Sequence, residues 1–409
     1  MAPIALNKAG ANLNIVDAGG ASDRIVALLG EHVDIICNSI SSAKDYLATG
    51  DFKIDLKPHQ EAEVRLDLPA IPVDENEYFL NLYAYTKKAT DLVPAHYEVA
   101  KEQLELKRGN VFTSLPDCSG NLTYKVVDNV LSFESGTVSG KIDLKKGMLF
   151  DYMKNGKKPI KQYPEPAFWR APTDNDFGNK MPLLAGVWRT AHVNRYVKEV
   201  TVGNKNEKGL PVKIEWVLTD IQVPYTMEYL IRNDGSLVVT GSIDLNGTRL
   251  PELPRFGMRI ELNQPYDNLS YYGRGPQENY IDRCSGSFIG CYDDKVENQY
   301  YEYIRPQETG NKTDVRWLTL LDSDGAGIKI TGLQPIAFSA LHFTPEDLDP
   351  GLTRKMQHTI DVIPQKNVFL HVDMKQRGLG GDNSWGMYPH TEYRLLDKKY
   401  SYSYILELE

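Results

Sequence analysis

Cysteine is scarce in this sequence: four in 409 residues, at Cys37, Cys118, Cys284 and Cys291. No two stand at C-x-x-C spacing, so neither a zinc ribbon nor a disulfide-stapled scaffold is indicated. Cys284 and Cys291 are near enough in sequence to pair, but buried free thiols are the simpler expectation. Long apolar runs are missing as well. No stretch of about 18 apolar residues occurs, so nothing reads as a membrane-spanning helix. The opening residues, MAPIALNKAG, lack the charged start and apolar core of a signal peptide. A cytoplasmic protein is expected, or a periplasmic one if processing has removed a leader. Positive charge is in deficit. Lys and Arg total 46 against 55 Asp and Glu, a net charge of -9. Nucleic-acid binding needs a basic face and is disfavoured. Histidine is sparse too. His342, His358, His371 and His390 form no ligand-spaced cluster, so satisfied structural histidines are expected and no metal site.

What is present is a globular composition, 41% hydrophobic and 25% charged, on a chain long enough for two or three domains. Aromatics are plentiful, with 24 Tyr and 5 Trp. They suit half-buried strands; a flat ring can also stack on the C–H face of a sugar. The first fifty residues read as strand–helix–strand–helix. Ile25, Val26, Leu28 and Leu29 make a helical stripe closed by Gly30. VDIICNS is a buried strand, and SSAKDYLATG has a serine cap and a terminal Gly50, a second helix. A parallel α/β segment over 1–52 is therefore expected. After Gly50 the period changes to two in DFKIDL, EAEVRLDL, EYFLNLYAYT and HYEVAKEQLEL, the antiparallel strands of a partial sandwich over 53–108. About seven strands would close an immunoglobulin-like sandwich. From Gly109 to the C-terminus, strands such as KIEWVLTD, YTMEYLIR and YSYSYILELE alternate with Asn-Gly and Asp-Gly turns. So many strands require two packed layers. The fold class is mainly β.

Four segments carry more polar and aromatic residues than sheet packing needs. They are FWRAPTDNDFG (168–178), YYGRGPQENY with Asp282-Arg283 (271–283), YIRPQETGN with Asp314-Val315-Arg316-Trp317 (303–317), and GLGGDNSWG (378–386). In this order they resemble the last domain of lac-operon-type β-galactosidases of glycoside hydrolase family 2. The resemblance covers roughly 110–409. It implies a large antiparallel supersandwich of the galactose-mutarotase-like type over 109–409. Residues 53–108 resemble the end of the immunoglobulin-like domain that precedes it in that family. Part of the first fifty residues, GGASDRIVALLGEHVDIICNSISSAKDYLATGDFK, looks instead like a piece of a tripartite-tricarboxylate-transporter solute-binding protein.

Retaining glycosidases need two carboxyl groups about 5–5.5 Å apart. The resemblance puts that pair, both glutamates, in a (β/α)8 barrel of about 250 residues, and no eight-fold strand–helix repeat is present here. No catalytic residue is therefore expected in this chain. By the same resemblance Mg and Na belong to other parts of the full enzyme, so no cofactor is expected. Glu278 and Glu308 lie beside Arg274 and Arg305. Arg–carboxylate bridges pinning long loops are expected, with Arg170, Asp174 and Asp176 as further structural motif residues. An Arg-held carboxylate is a poor general acid. Asp174, Asn175 and Asp176 alternate like oxygen ligands for Mg²⁺ or Ca²⁺, but Asx turns explain them more simply. Trp385 differs from Trp216 and Trp317, which sit in strand patterns. It lies in a Gly-rich loop whose backbone can approach a ligand. The resemblance implies a flat sugar platform at Trp385, with Asp382 and Asn383 beside it as substrate-binding residues. Gly178 and Asn179 mark a candidate active-site loop. The implied partners are a β-galactoside or galactose and the catalytic barrel of the parent enzyme, with no membrane or nucleic acid; a homo-oligomer is left open. Two other readings stand beside this one: a stand-alone carbohydrate-binding or aldose-epimerase-like sandwich, and a purely structural domain.

Overall fold

The computed structural model describes residues 11–14, 33–41, 47–52, 61, 63–66, 68–112, 115–353, 357–383 and 385–409. The chain divides into two compact units, 1–111 and 112–409. Each is built from antiparallel strands, because the period-two patterns give every strand one apolar face to bury.

In the first unit, β1 (Ala11–Asn14), β2 (Val33–Ser41), β3 (Leu47–Phe52), β4 (Glu63–Leu66), β5 (Tyr78–Thr86) and β6 (Glu98–Lys107) form two sheets. β1 pairs with β4, and the other four run β3-β2-β5-β6. Leu66, Leu80 and Leu82 form its core, with Leu68, Leu104 and Leu106 against them. The parallel α/β reading of the N-terminal segment is corrected here. VDIICNS is a strand as expected, but it pairs antiparallel with β3 and β5. Leu47 to Gly50, expected to close a helix, lie in β3. The physical reason is tertiary. A six-residue strand beside β2 satisfies its backbone in the sheet, which outweighs the weak local preference of SSAKDYLATG for helix. The sheet thus crosses the expected boundary at 52/53. The helix expected near Ile25–Leu29 lies outside the described residues.

The second unit opens with a four-stranded sheet of β7 (Thr123–Val127), β8 (Val130–Ser135), β9 (Val138–Asp143) and β10 (Met148–Lys154). Next come β11 (Ile160–Ala167), two short helices, α1 (Asp174–Gly178) and α2 (Met181–Leu184), and then β12 (Arg195–Val202). β13 (Leu210–Leu218), β14 (Val223–Ile231), β15 (Leu237–Asp244), β16 (Arg255–Leu262), β17 (Asn268–Gly275), β18 (Phe288–Lys295) and β19 (Lys312–Leu321) follow. β20 (Gly327–Leu341), the helix α3 (Pro345–Leu348), β21 (Val368–Gln376) and β22 (Lys399–Leu408) complete it. β11 to β22 make one 12-stranded sheet.

That sheet bends back on itself at β20. The first part of β20, from Ile328 to Gly332, pairs with β22, and the last part, from Ala337 to Leu341, pairs with β21. Pro335 stands between them. It cannot donate to a ladder, so the strand changes partners where proline is tolerated. Inward residues alternate as the sequence pattern requires. Leu210, Val212, Ile214, Trp216 and Leu218 of β13 join Tyr400, Tyr402, Tyr404, Leu406 and Leu408 of β22 in one core. The four-stranded sheet contributes Leu131, Phe133, Ile142, Leu149 and Tyr152 to the same core. The Tyr152 hydroxyl donates to the carbonyl of Gly235 at 2.9 Å, which fastens the layers. Cys284 is half-buried and Cys291 exposed, and the two form no disulfide; the expected burial is thus only partial. No helix among the described residues is long and apolar enough to cross a membrane.

Candidate functional site

The first motif leaves β11 and enters α1. Thr173 is the helix N-cap: its hydroxyl accepts from the Asp176 backbone N–H, while Asp176 Oδ2 accepts from Thr173 N at 2.9 Å. This reciprocal capping box explains the Asp-Asn-Asp run. Asp174 is exposed and Asp176 fully buried, so the two carboxylates do not act together. Among the described residues no group of three His, Cys, Asp or Glu is placed to hold a metal ion.

Asp176 also anchors two buried arginines. Arg170 reaches it at 2.8 Å and Arg377 at 2.8 Å, and all three side chains are wholly buried. Arg377 continues to Glu252 at 3.2 Å, and Glu252 takes Arg394 at 2.8 Å. Arg377 lies just past the end of β21, so the chain ties the loop of the fourth motif to the helix of the first. Two further bonds extend this tie. Asn175 Nδ2 donates to Leu379 O at 3.2 Å, and Asp282 Oδ2 accepts from Gly380 N at 2.8 Å. The backbones of Gly178 and Gly386 touch. A Cβ on Gly386 would lie 2.3 Å from the Gly178 carbonyl carbon, and Gly386 has φ +117°. Only glycine fits there.

The second and third motifs are held by carboxylates. Glu278 accepts from Arg283, the Tyr303 hydroxyl, Thr309 Oγ1 at 3.1 Å and Gly310 N at 2.6 Å. Arg274 binds Asp314 instead, and donates to Ser287 O at 2.9 Å. Glu308 accepts from Arg255 at 3.1 Å and Gln376 at 3.1 Å. Arg305 faces a separate narrow groove with Pro306, Gln307 and Pro350. Glu278 and Glu308 thus take Arg283 and Arg255 rather than their sequence neighbours Arg274 and Arg305. Neighbours in a loop sequence need not face each other, whereas Arg283 and Arg255 come from positions the fold brings round. Arg255 also lies 3.1 Å from Asp373. Burial and the nearby Glu308 outweigh Arg255 and raise the Asp373 carboxyl to about 7. Burial, with Arg255 beside it, drives His371 well below the usual imidazole range, so it is neutral; it lies 3.2 Å from Arg255.

All four motifs meet at one cleft of about 430 Å³. The first supplies Thr173, Asp174 and Asn175, the second Asp282 and Arg283, the third Tyr303, Gln307 and Glu308, and the fourth Leu379, Gly380, Gly381 and Asn383. Of the expected site residues, Asn383, Asp174 and Glu308 line it. Arg170, Asp176 and Glu278 brace it from behind, and Arg274 is occupied with Asp314. Asn179 is buried, next to the Gly178–Gly386 contact. Asp382 turns outward and pairs with His390 at 2.7 Å, which raises the His390 pKa. Trp385 stands two residues beyond Asn383 with its ring 86% exposed, its backbone N–H fixed by Asn383 Oδ1 at 2.9 Å. Asp282, Arg283, Tyr303 and Gln307 were not singled out by sequence reasoning, though all four lie in the quoted motifs. Their signal was membership of a motif, not residue chemistry.

The family model described as "Beta galactosidase small chain" matches residues 134–406. The chain belongs to the β-galactosidase small-chain family. A second model, "Beta-galactosidase, domain 4", matches residues 32–107; that match takes in β2 and β3 with β5 and β6. The β-galactosidase of Priestia megaterium is 32% identical over 357 residues, which is 87% of this chain and 34% of that protein. The β-galactosidase of Halalkalibacterium halodurans is 34% identical over 244 residues, 59% of this chain and 24% of that protein. That of Streptococcus thermophilus is 27% identical over 368 residues, 88% of this chain and 34% of that protein. The chain therefore spans about a quarter to a third of the length of these β-galactosidases, and corresponds to the C-terminal portion of one.

Proposed function

We propose that this chain supplies one wall of a β-galactoside site whose bond-breaking groups lie elsewhere in the enzyme. One observation carries the reading: Trp385 is 86% exposed and stands two residues beyond Asn383, which lines a cleft on which four separate motifs converge. An exposed aromatic ring on a braced loop is a platform for the apolar face of a pyranose, since a rigid ring loses little conformational freedom on contact. Asn383 lines the cleft and offers its amide to sugar hydroxyls, while Asp382 beside it pairs with His390. Asp282 Oδ1 has no hydrogen-bond partner, and a buried acceptor of this kind is normally satisfied; a ligand hydroxyl or a bridging water would do so.

Exposed apolar side chains also lie close in sequence to the platform and to Gly178. Leu183 and Leu184 on α2 and Met387 and Tyr388 after Gly386 are all exposed. The Gly178–Gly386 contact sets these two segments side by side. Such a patch suits packing against another domain, here the catalytic barrel of the enzyme. The carboxylates within the cleft region favour this division of labour. Glu278 and Glu308 are each committed to several donors, so neither is free to deliver and recover a proton. In an assay of the purified chain on a chromogenic β-galactoside, no turnover above buffer is expected. Turnover at the rate of a complete family member would contradict the proposal.

A further inference from the structure

A second cleft, larger than the first at about 590 Å³, shares no residue with it. It is lined by Lys145 and Lys146 from the β9–β10 turn, Glu165 of β11, His192, Arg195 of β12 and Arg259 of β16, with Trp216 as one wall. Four cations thus surround one carboxylate, in a chain whose net charge is -9. Glu165 is already held between Arg195 at 3.4 Å and Arg259 at 3.2 Å. Arg259 is braced further by Glu346 at 2.8 Å. The two guanidinium groups are therefore fixed in place. The lysine turn is fixed as well, because Asp143 Oδ1 accepts from the backbone N–H of both Lys145 and Lys146 at 2.9 Å. Neither lysine ammonium is assigned an acidic partner among the described residues. His192 is 8% exposed, and its Nδ1 has no hydrogen-bond partner. Burial lowers its pKa, as do Arg259 and Arg195, against Glu165 and Glu346.

We propose that this cleft binds a small organic oxyanion, a phosphate or carboxylate carried on a hexose-sized molecule. The volume lies in the range of small-molecule sites. Fixed arginines and free lysines are the groups that recognise such anions, the first by geometry and the second as point charges. A buried imidazole without a partner gains one when an anion enters, and takes up a proton there. Binding of a sugar carboxylate, whose own charge is constant between about pH 8 and pH 6, therefore strengthens as pH falls. The charged groups facing His192 are Lys145, Lys146, Arg195 and Arg259 on one side of the balance and Glu165 and Glu346 on the other.

Isothermal titration of the full 409-residue chain at low ionic strength tests this, with galactose 6-phosphate, galacturonate, inorganic phosphate and galactose as probes. Saturable binding of at least one sugar anion is expected, with galactose weaker by about tenfold or more. A Lys145→Ala/Lys146→Ala variant changes only exposed side chains and should weaken that binding by about tenfold. His192→Gln should remove the strengthening between about pH 8 and pH 6. Binding of galacturonate alone would assign a carboxylate site, and binding of galactose 6-phosphate a phosphate site, each of which supports the proposal; inorganic phosphate binding with no sugar anion binding would overturn it. No saturable binding of any anion at about 10 mM, equal binding of galactose, or an unchanged affinity in the double-lysine variant would overturn it.

Discussion

Asp176→Ala is expected to lower the stability of the 112–409 unit by about 3–5 kcal/mol. Asp176 is the shared anion of Arg170 and Arg377, and all three side chains are inaccessible to water. Removing it leaves two buried guanidinium groups, only one of which retains another acidic partner, Glu252. It also deletes the capping box of α1, worth about 1 kcal/mol in its own right. In a unit of this size the change corresponds to a fall in Tm on the order of 10 °C. Asp174→Ala, on the exposed side of the same helix, should cost under about 1 kcal/mol. Urea unfolding followed by tryptophan fluorescence separates the two. Equal effects of the two variants would show that the buried arginines do not depend on Asp176.

Asp373→Asn is expected to stabilise the protein relative to wild type increasingly as pH rises from about 4 to about 7. Asp373 is held up to about 7 in the folded chain against 3.8 for an ordinary Asp. The folded protein therefore keeps a proton that the unfolded chain releases. Stability from this group is complete below about pH 4, falls as pH rises, and is fully lost above about pH 7. A difference of this size corresponds to on the order of 4 kcal/mol, an upper bound once the site relaxes. Asparagine cannot ionise, so the variant escapes the loss, and Glu308 still serves Arg255 at 3.1 Å. Several lowered carboxylates, such as Asp151 and Asp322, contribute with the opposite sign, gaining as pH rises through the acid range. The informative quantity is accordingly the difference between variant and wild type. A difference that stays flat from pH 4 to pH 8 would contradict the account.

The large sheet was legible in the sequence because its strands carry a strict period. KIEWVLTD and YTMEYLIR became β13 and β14 in register, Trp216 opposite Tyr225. The N-terminal segment was misread because short apolar runs fit helix and strand alike. VDIICNS identified itself by its short apolar run, whereas Leu47 to Gly50 carried no period strong enough to oppose the helix cap at their start. At the site, the motifs pointed to the loops but did not specify the pairs. Glu278 and Arg274 are four residues apart, yet Arg274 turns to Asp314 across the loop. Arg377 and Arg255, which brace the cleft, looked like ordinary strand-end residues, and their role depends on partners about 200 and 50 positions away. Long-range pairing of this kind leaves no local signal. The exposure of Trp385 was legible because a large aromatic ring among glycines has no packing reason to be there.

The most direct test joins this chain to the N-terminal portion of its Priestia megaterium relative and compares the wild-type fusion with a Trp385→Ala fusion on a chromogenic β-galactoside. Thermal unfolding should match between the two, because the ring is exposed. The account predicts that kcat/KM falls by about tenfold or more in the variant, mainly through a higher KM. An active wild-type fusion whose Trp385→Ala variant keeps the same kcat/KM and KM would contradict it.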